Sequence, residues 1–412
     1  MEFCKHTLPN GLEIVAECDG EAHSSAFGFF VKTGARDETD AISGVSHFLE
    51  HMMFKGTPTR SADDVNRQFD EMGAHYNAFT NEENTVFYAA VLPEYQHKAV
   101  ELLADILRPS LREQDFDTEK QVILEEIKMY EDQPPFGADE KCRAAFFGAH
   151  PLGRSVLGTA KSIADLPVSA MRGYFDTRYS PGNIVLAAAG RIDFPALVDT
   201  ASKSCGHWQP VPVQRNLSAA TPRLSFQVLC KEIATQQYVI ELTPGPSAED
   251  DDRYAAKLLA TIIGDDTGSR LYWELVDPGL AEQVTLSHCE YLGAGLMITY
   301  MSCEPHCAPD NLQSILKVYR LAETKGLAEA ELSQAKSKIR SRIVLSSERP
   351  RGRLFAVGSQ WVYRREYKSV GDELDTIAAI TLDEVHAVLK KYPLSRCATL
   401  TIGPLDKLPP PT

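Results

Sequence analysis

Apolar and polar positions recur with two different periods along this chain, and the two periods mark out its elements. "GLEIVAEC" and "SAFGFFVKTGA" alternate or run apolar, as strands do. "TDAISGVSHFLEHMMFKG" follows with helical spacing, with Asp40 the expected N-cap and Gly56 with Pro58 closing the helix. "ADDVNRQFDEMG" is a second helix, and "AHYNAFTNEENTVFYAAVL" reads as two strands joined by the polar turn "TNEEN". "PEYQHKAVELLADIL" and "DTEKQVILEEIKMYED" are helical, the latter stopping at Pro134-Pro135. "NIVLAAAG" is a buried strand after the turn "SPG".

Residues 208–223, "WQPVPVQRNLSAATPR", hold three prolines and no period, which marks a linker. Beyond it the rhythm repeats. "QQYVIELTPGP" is a strand, "DDRYAAKLLATIIGD" a helix and "SRLYWELVD" a shorter helix. "TLSHCEY" and "GLMITYMSC" are strands, "PDNLQSILKVYRLAE" and "EAELSQAKSKIRSRIV" helices, and "LTIGPLD" echoes "IVLAAAG". The expectation is an α+β protein of two halves of about 200 residues related by duplication. Their bounds are 1–207 and 224–412, joined by 208–223.

Composition narrows the function. A chain of 412 residues, 43% hydrophobic and 24% charged, can bury two ordinary cores. Its net charge of −15 argues against nucleic acid and against an anionic membrane surface as partners. No signal peptide and no run of about 18 apolar residues is visible. The nine cysteines are scattered without a CxxC pair, which suggests free thiols and a cytoplasmic protein.

Three polar residues interrupt an otherwise apolar helix in "GVSHFLEHMMFKG". His47 and His51 are four apart and share one face, so two imidazoles can grip one ion. Glu50 lies on the rim of that face, giving the H-x-x-E-H order. A catalytic zinc wants three protein ligands and an open position. The helix "TEKQVILEEIKMYED" offers Glu119, Glu125 and Glu126 for the third. Glu119 and Glu126, seven apart, share a face with Val122, while Glu125 points about 100° away from Glu126. The matching helix of the second half, 252–263, has no histidine, so the site belongs to the first half alone.

With these residues in view, "GVSHFLEHMMFKGT" and "VILEEIKMYED" resemble the pitrilysin superfamily of zinc peptidases. The likeness is strongest to its short members, such as the β subunit of mitochondrial processing peptidase and its bacterial relatives. "LPNGLEIV", "VKTGARDE", "GAHYNAFTNEENTVFYA", "HPLGRSVLGT" and "YSPGNIVLAAAG" extend the resemblance over nearly the whole chain. It implies two homologous α/β-sandwich domains, with antiparallel-rich sheets and helices, arranged as a clamshell. It implies an endopeptidase with one zinc ion per chain. The family places its third ligand about 75 residues after the motif. Glu126 stands 75 residues after His51, so it is the implied ligand, with Glu125 the alternative. The likeness also casts Glu50 as general base, Glu119 as an accessory catalytic glutamate, and Asn77 and Ala78 as holding the substrate backbone. It further implies dimerisation, as a homodimer or with a different partner chain, around peptide substrates. The alternative is a non-catalytic core or assembly subunit.

One segment departs from that pattern. Family members carry an arginine and a tyrosine in a substrate-clasping stretch of the second half. Here "LVDPGLAEQV" puts Leu275 or Val276 and then Glu282 at those places. Either a partner chain supplies the clasp, or Glu282 selects basic peptides. "CEPHC" offers Cys303, His306 and Cys307, but without a second paired cluster it reads as core and turn rather than a metal site.

Overall fold

The computed structural model describes all 412 residues. It contains eleven strands. The first six are β1 (Glu2–Thr7), β2 (Glu13–Cys18), β3 (Ser25–Val31), β4 (His75–Thr80), β5 (Thr85–Val91) and β6 (Ile184–Gly190). The other five are β7 (Phe226–Cys230), β8 (Gln237–Gly245), β9 (Gln283–Tyr291), β10 (Ala294–Cys303) and β11 (Ala398–Gly403). The helices before the linker are α1 (Val45–Met53), α2 (Ala62–Glu71), α3 (Gln96–Ile106), α4 (Glu113–Asp132), α5 (Ala138–Phe147), α6 (Ala160–Asp165), α7 (Val168–Arg178) and α8 (Phe194–Cys205). After it come α9 (Asp252–Gly264), α10 (Ala308–Lys325), α11 (Glu329–Ser347), α12 (Pro350–Arg364), α13 (Val370–Ala379) and α14 (Leu382–Lys391).

The two sheets share one topology. The first runs β1-β2-β6-β3-β5-β4 and the second β7-β11-β8-β10-β9. In the first, β2 and β6 are parallel and the β6-β3, β3-β5 and β5-β4 pairs are antiparallel. In the second, β7 and β11 are parallel and the three remaining pairs are antiparallel. Apart from the extra edge strand β1, each strand of one sheet has its counterpart in the other. The repeat legible in the sequence is therefore a repeat of fold.

The chain forms two compact units, and they are not contiguous in sequence. One comprises 1–128, 154–216 and 344–368; the other comprises 129–153, 217–343 and 369–412. The expected linker, which lacks helix and strand, separates β1–β6 from β7–β11. Its first residues belong to the first unit, where Ser180 Oγ donates to the Val211 carbonyl and Arg215 pairs with Asp37.

Each sheet is covered on both faces. In the first unit, Val15, Phe30, Tyr88 and Val185 pack against Leu354, Val357, Trp361 and Val362 of α12. Gly358 permits this approach, because a Cβ there would lie 2.3 Å from the Phe30 ring. At the edge of this layer the Arg353 guanidinium meets the Glu17 carboxylate at 2.6 Å, both groups buried. In the second unit, Cys142, Phe146 and Phe147 of α5 cover one face of the second sheet, alongside Ile240, Leu242, Leu296 and Leu400. Residues from α9, α10 and α14 build the larger core on its other side.

Several local expectations need correction. Asp40 does not cap the metal-helix candidate, since residues 40–42 form a separate short 3-10 turn. The N-cap of α1 is Gly44, at φ +90°, and the Glu38 carboxylate accepts from the amides of Gly44 (2.7 Å) and Ser46 (2.8 Å). A buried acid from upstream thus does what a local side chain does in most helices. The expected helix "SRLYWELVD" contains a π-helical turn over Tyr272–Val276. Strands β1 and β7 have no distinct periodic signal; α5 and α12 were not expected, although Leu354, Val357, Trp361 and Val362 of α12 recur at helical spacing.

Candidate metal centre and active site

Helix α1 is fixed before its polar residues do anything. Val45, Phe48, Leu49, Met52 and Met53 are all at most 1% exposed. Phe48 stacks on Phe116 of α4 at 4.7 Å between ring centroids, which sets the two helices side by side. Phe116, Glu119, Ile123 and Ile127 form the buried face of α4. Val122, expected beside the two carboxylates amid apolar neighbours, is instead 46% exposed.

The packing brings His47, His51 and Glu126 together, with one ligand atom of each within 4.8 Å of the others. Glu126 Oε2 stands 3.8 Å from Nε2 of His47 and 3.8 Å from Nε2 of His51. These separations are too long for hydrogen bonds. They are near the spacing of roughly 3.3 Å that ligands about 2 Å from a tetrahedral zinc adopt. Glu125 is exposed on α4 and outside this group.

Neighbours orient the set. Glu119 Oε1 accepts from His51 Nδ1 at 2.8 Å, so in the neutral ring it is Nε2, facing Glu126, that keeps its lone pair. The other Glu119 oxygen receives Lys55 Nζ at 2.6 Å. Glu50 faces a different neighbour: Thr80 Oγ1 donates to its Oε2 at 2.6 Å. Thr80 ends β4, the edge strand carrying Asn77 and Ala78, which pairs only with β5. Asn77 is exposed, and its side-chain oxygen accepts from the Ala78 amide at 2.9 Å.

The electrostatics suit a cation. Burial, and then the charge of His51, push His47 down to about 3, so it stands neutral with a lone pair to give. Burial also lowers His51, but its bond to Glu119 and the surrounding carboxylates outweigh this and raise it. Burial raises Glu126, with His51 opposing. It likewise raises Glu50, against the Thr80 hydrogen bond. In Glu119 the bonds to His51 and Lys55 overcome burial and keep the carboxylate low. Two imidazoles and one carboxylate, gathered without mutual hydrogen bonds, are the donor set of a catalytic zinc site. The residues present fit the metal.

The other candidates lie elsewhere. Leu275 is fully buried in the core of the second unit and Val276 packs against it. Glu282 is exposed and takes a hydrogen bond from Gln236. Cys303 is buried, and Cys303, His306 and Cys307 form no ligand cluster. Lys55, Thr80 and Glu38 act at or beside the site, yet neither period nor motif singled them out. Lys55 and Thr80 work through contacts distant in sequence, and Glu38 through the turn that precedes α1.

Comparison with known proteins agrees with this geometry. Residues 13–160 match the family described as Insulinase (Peptidase family M16), and residues 165–339 match Peptidase M16 inactive domain. An uncharacterized zinc protease of Mycobacterium tuberculosis is 33% identical over 407 residues, covering 97% of this chain and 92% of its own. The probable mitochondrial-processing peptidase subunit beta of Arabidopsis thaliana is 28% identical over 420 residues, covering 98% and 78%. A protease from Helicobacter pylori has the same fold, with a TM-score of 0.91 at 19% identity over 98% of this chain and 99% of that one. From the paired sheets, the gathered ligands and these relatives together, the chain is a member of the M16 family of peptidases, within the pitrilysin superfamily.

Proposed function

We propose that the protein is a zinc-dependent endopeptidase acting on peptides or unfolded segments. The convergence of His47, His51 and Glu126 beside Glu50 carries this reading. Those three residues would hold one zinc ion per chain. When bound, zinc supplies positive charge that acidifies a water and polarises a peptide carbonyl. Glu50 takes the proton of the attacking water and returns it to the leaving amine. Glu119, braced by Lys55, fixes the tautomer and direction of His51. The open edge of β4 at Asn77 and Ala78 pairs with the backbone of an extended substrate.

The test is hydrolysis of a quenched peptide library by the purified chain, with zinc measured by elemental analysis. Glu50→Gln is expected to keep its zinc and lose turnover by at least about 100-fold. His51→Ala is expected to lose the metal. Hydrolysis retained by Glu50→Gln in a pure sample would sink the assignment.

We further propose a cytoplasmic dimer whose two chains enclose the peptide. No helix is long and apolar enough to cross a membrane, and the nine cysteines are unpaired. A partner chain of a heterodimeric peptidase is the second reading. It draws on Leu275, Val276 and Glu282, none of which offers the cation of a substrate clasp. Activity and size of the chain purified alone separate the two readings.

A further inference from the structure

The contact between Thr80 and Glu50 leads further. Glu50 sits on α1 and Thr80 at the last position of β4, and the 2.6 Å bond between them is the hydrogen bond that the Glu50 carboxylate makes. The hydroxyl is not needed to hold the strand, since Thr80 is already in backbone register with Thr85 across the β4-β5 ladder. Thr85 spends its own hydroxyl proton on the Thr33 carbonyl at 3.0 Å. The Thr80 hydroxyl also lies 3.3 Å from that of Thr85, but the ionised oxygen at 2.6 Å is the stronger acceptor for its single proton.

The position of Thr80 is itself rigid. Asn81 Oδ1 closes the next turn by accepting from the amides of Glu83 (2.9 Å) and Asn84 (2.7 Å). The amides of Ala35 and Arg36 bond the carbonyls of Asn81 and Glu82. The buried Glu83 pairs with Arg36 at 2.7 Å. A donor held this firmly fixes the carboxylate that it meets.

We propose that Thr80 is a positioning residue for hydrolysis: its hydroxyl ties down Glu50 Oε2 and so reserves Oε1, correctly aimed, for the proton of the attacking water. This rests on Glu50 being the base. It also places the base under the control of the strand whose open edge receives the substrate. A base free to rotate spends part of its time aimed away from the water, so losing the tether lowers kcat rather than substrate binding.

The full-length zinc-loaded protein, with Thr80→Val and Thr80→Ser, is assayed on one quenched peptide. Zinc content and thermal unfolding are measured on the same samples. Thr80→Val is expected to keep its zinc, its Tm and its KM while kcat falls on the order of 10- to 100-fold. Thr80→Ser, which restores the hydroxyl, is expected to recover most of that loss. The proposal is overturned by unchanged kcat in Thr80→Val, by Thr80→Ser as slow as Thr80→Val, or by loss of zinc or a matching rise in KM. Wild-type protein without Glu50-dependent hydrolysis overturns the base assignment and this proposal together. Glu50-dependent hydrolysis that ignores Thr80→Val overturns this proposal alone.

Discussion

Two acids with little exposed surface have opposite fates in this protein because both their depth and their neighbours differ. Glu119 is 4% exposed, yet its contacts with His51 and Lys55 keep it ionised. Glu241 is 3% exposed on β8, between Thr299 and Thr399 of the adjoining strands. Its side-chain partners are Cys397, Tyr319 and Thr399, all neutral, and burial pushes it up to about 7. That lies above the ordinary 4.5 of an exposed glutamate, so folding favours the protonated form. The stability it contributes is complete below about pH 4.5 and is lost as the pH rises through about 7. Denaturant unfolding between pH 5 and 8 is expected to show the wild type losing on the order of 2 kcal/mol relative to Glu241→Gln. Parallel pH profiles for the two proteins would refute this.

At the scale of the element, the start of α1 decides where the histidines point. Gly44 holds φ +90°, and a Cβ there would meet the Leu157 carbonyl oxygen at 2.5 Å. Only glycine fits, and the turn it makes delivers the amides of Gly44 and Ser46 to Glu38. Ser46 is held again by its hydroxyl, 2.7 Å from that of Tyr174 on α7. Gly44→Ala is therefore expected to cost at least about 1–2 kcal/mol from the left-handed backbone alone, with the clash in addition. Thermal unfolding reads that loss, and zinc affinity should fall in step because α1 shifts. A variant with wild-type Tm and zinc affinity would show that the cap does not position the helix.

For the whole molecule, segments from each sequence half are needed to finish the other. α12, 350–364, lies far beyond the linker but closes one face of the first sheet. α5, 138–147, precedes the linker but closes the second. The fragment 1–216 retains all the proposed zinc and catalytic residues and lacks α12. It is expected to expose the face of Val15, Phe30, Tyr88 and Val185, to bind hydrophobic dye and to leave Glu17 buried without Arg353. Adding a peptide covering 344–368 should lower the dye binding, the remainder coming from the apolar face of α5, whose own sheet the fragment lacks. A fragment that is well folded without it would show that α12 is dispensable to the sheet.

The site was legible where its chemistry is local. His47, Glu50 and His51 lie within one turn, so helical spacing alone put them on one face and suggested a metal. The apolar runs of β3, β5 and β6 and the repeat across the linker were equally plain, because strands buried on both faces select continuous apolar residues. Residue spacing left Glu119, Glu125 and Glu126 as alternatives, and resemblance favoured Glu126. The packing of Phe48 on Phe116 brings Glu126 towards the histidines and leaves Glu125 in solvent. The cap from Glu38, the tether from Thr80 and the brace from Lys55 left no pattern, and the helical spacing within α5 and α12 does not say which sheet each covers. The sequence by itself determined the elements and the residue types that bind and transfer, because these depend on neighbours a few positions away. Tertiary structure alone decided which distant side chains meet them, because such contacts depend on how helices and strands pack and not on any period along the chain.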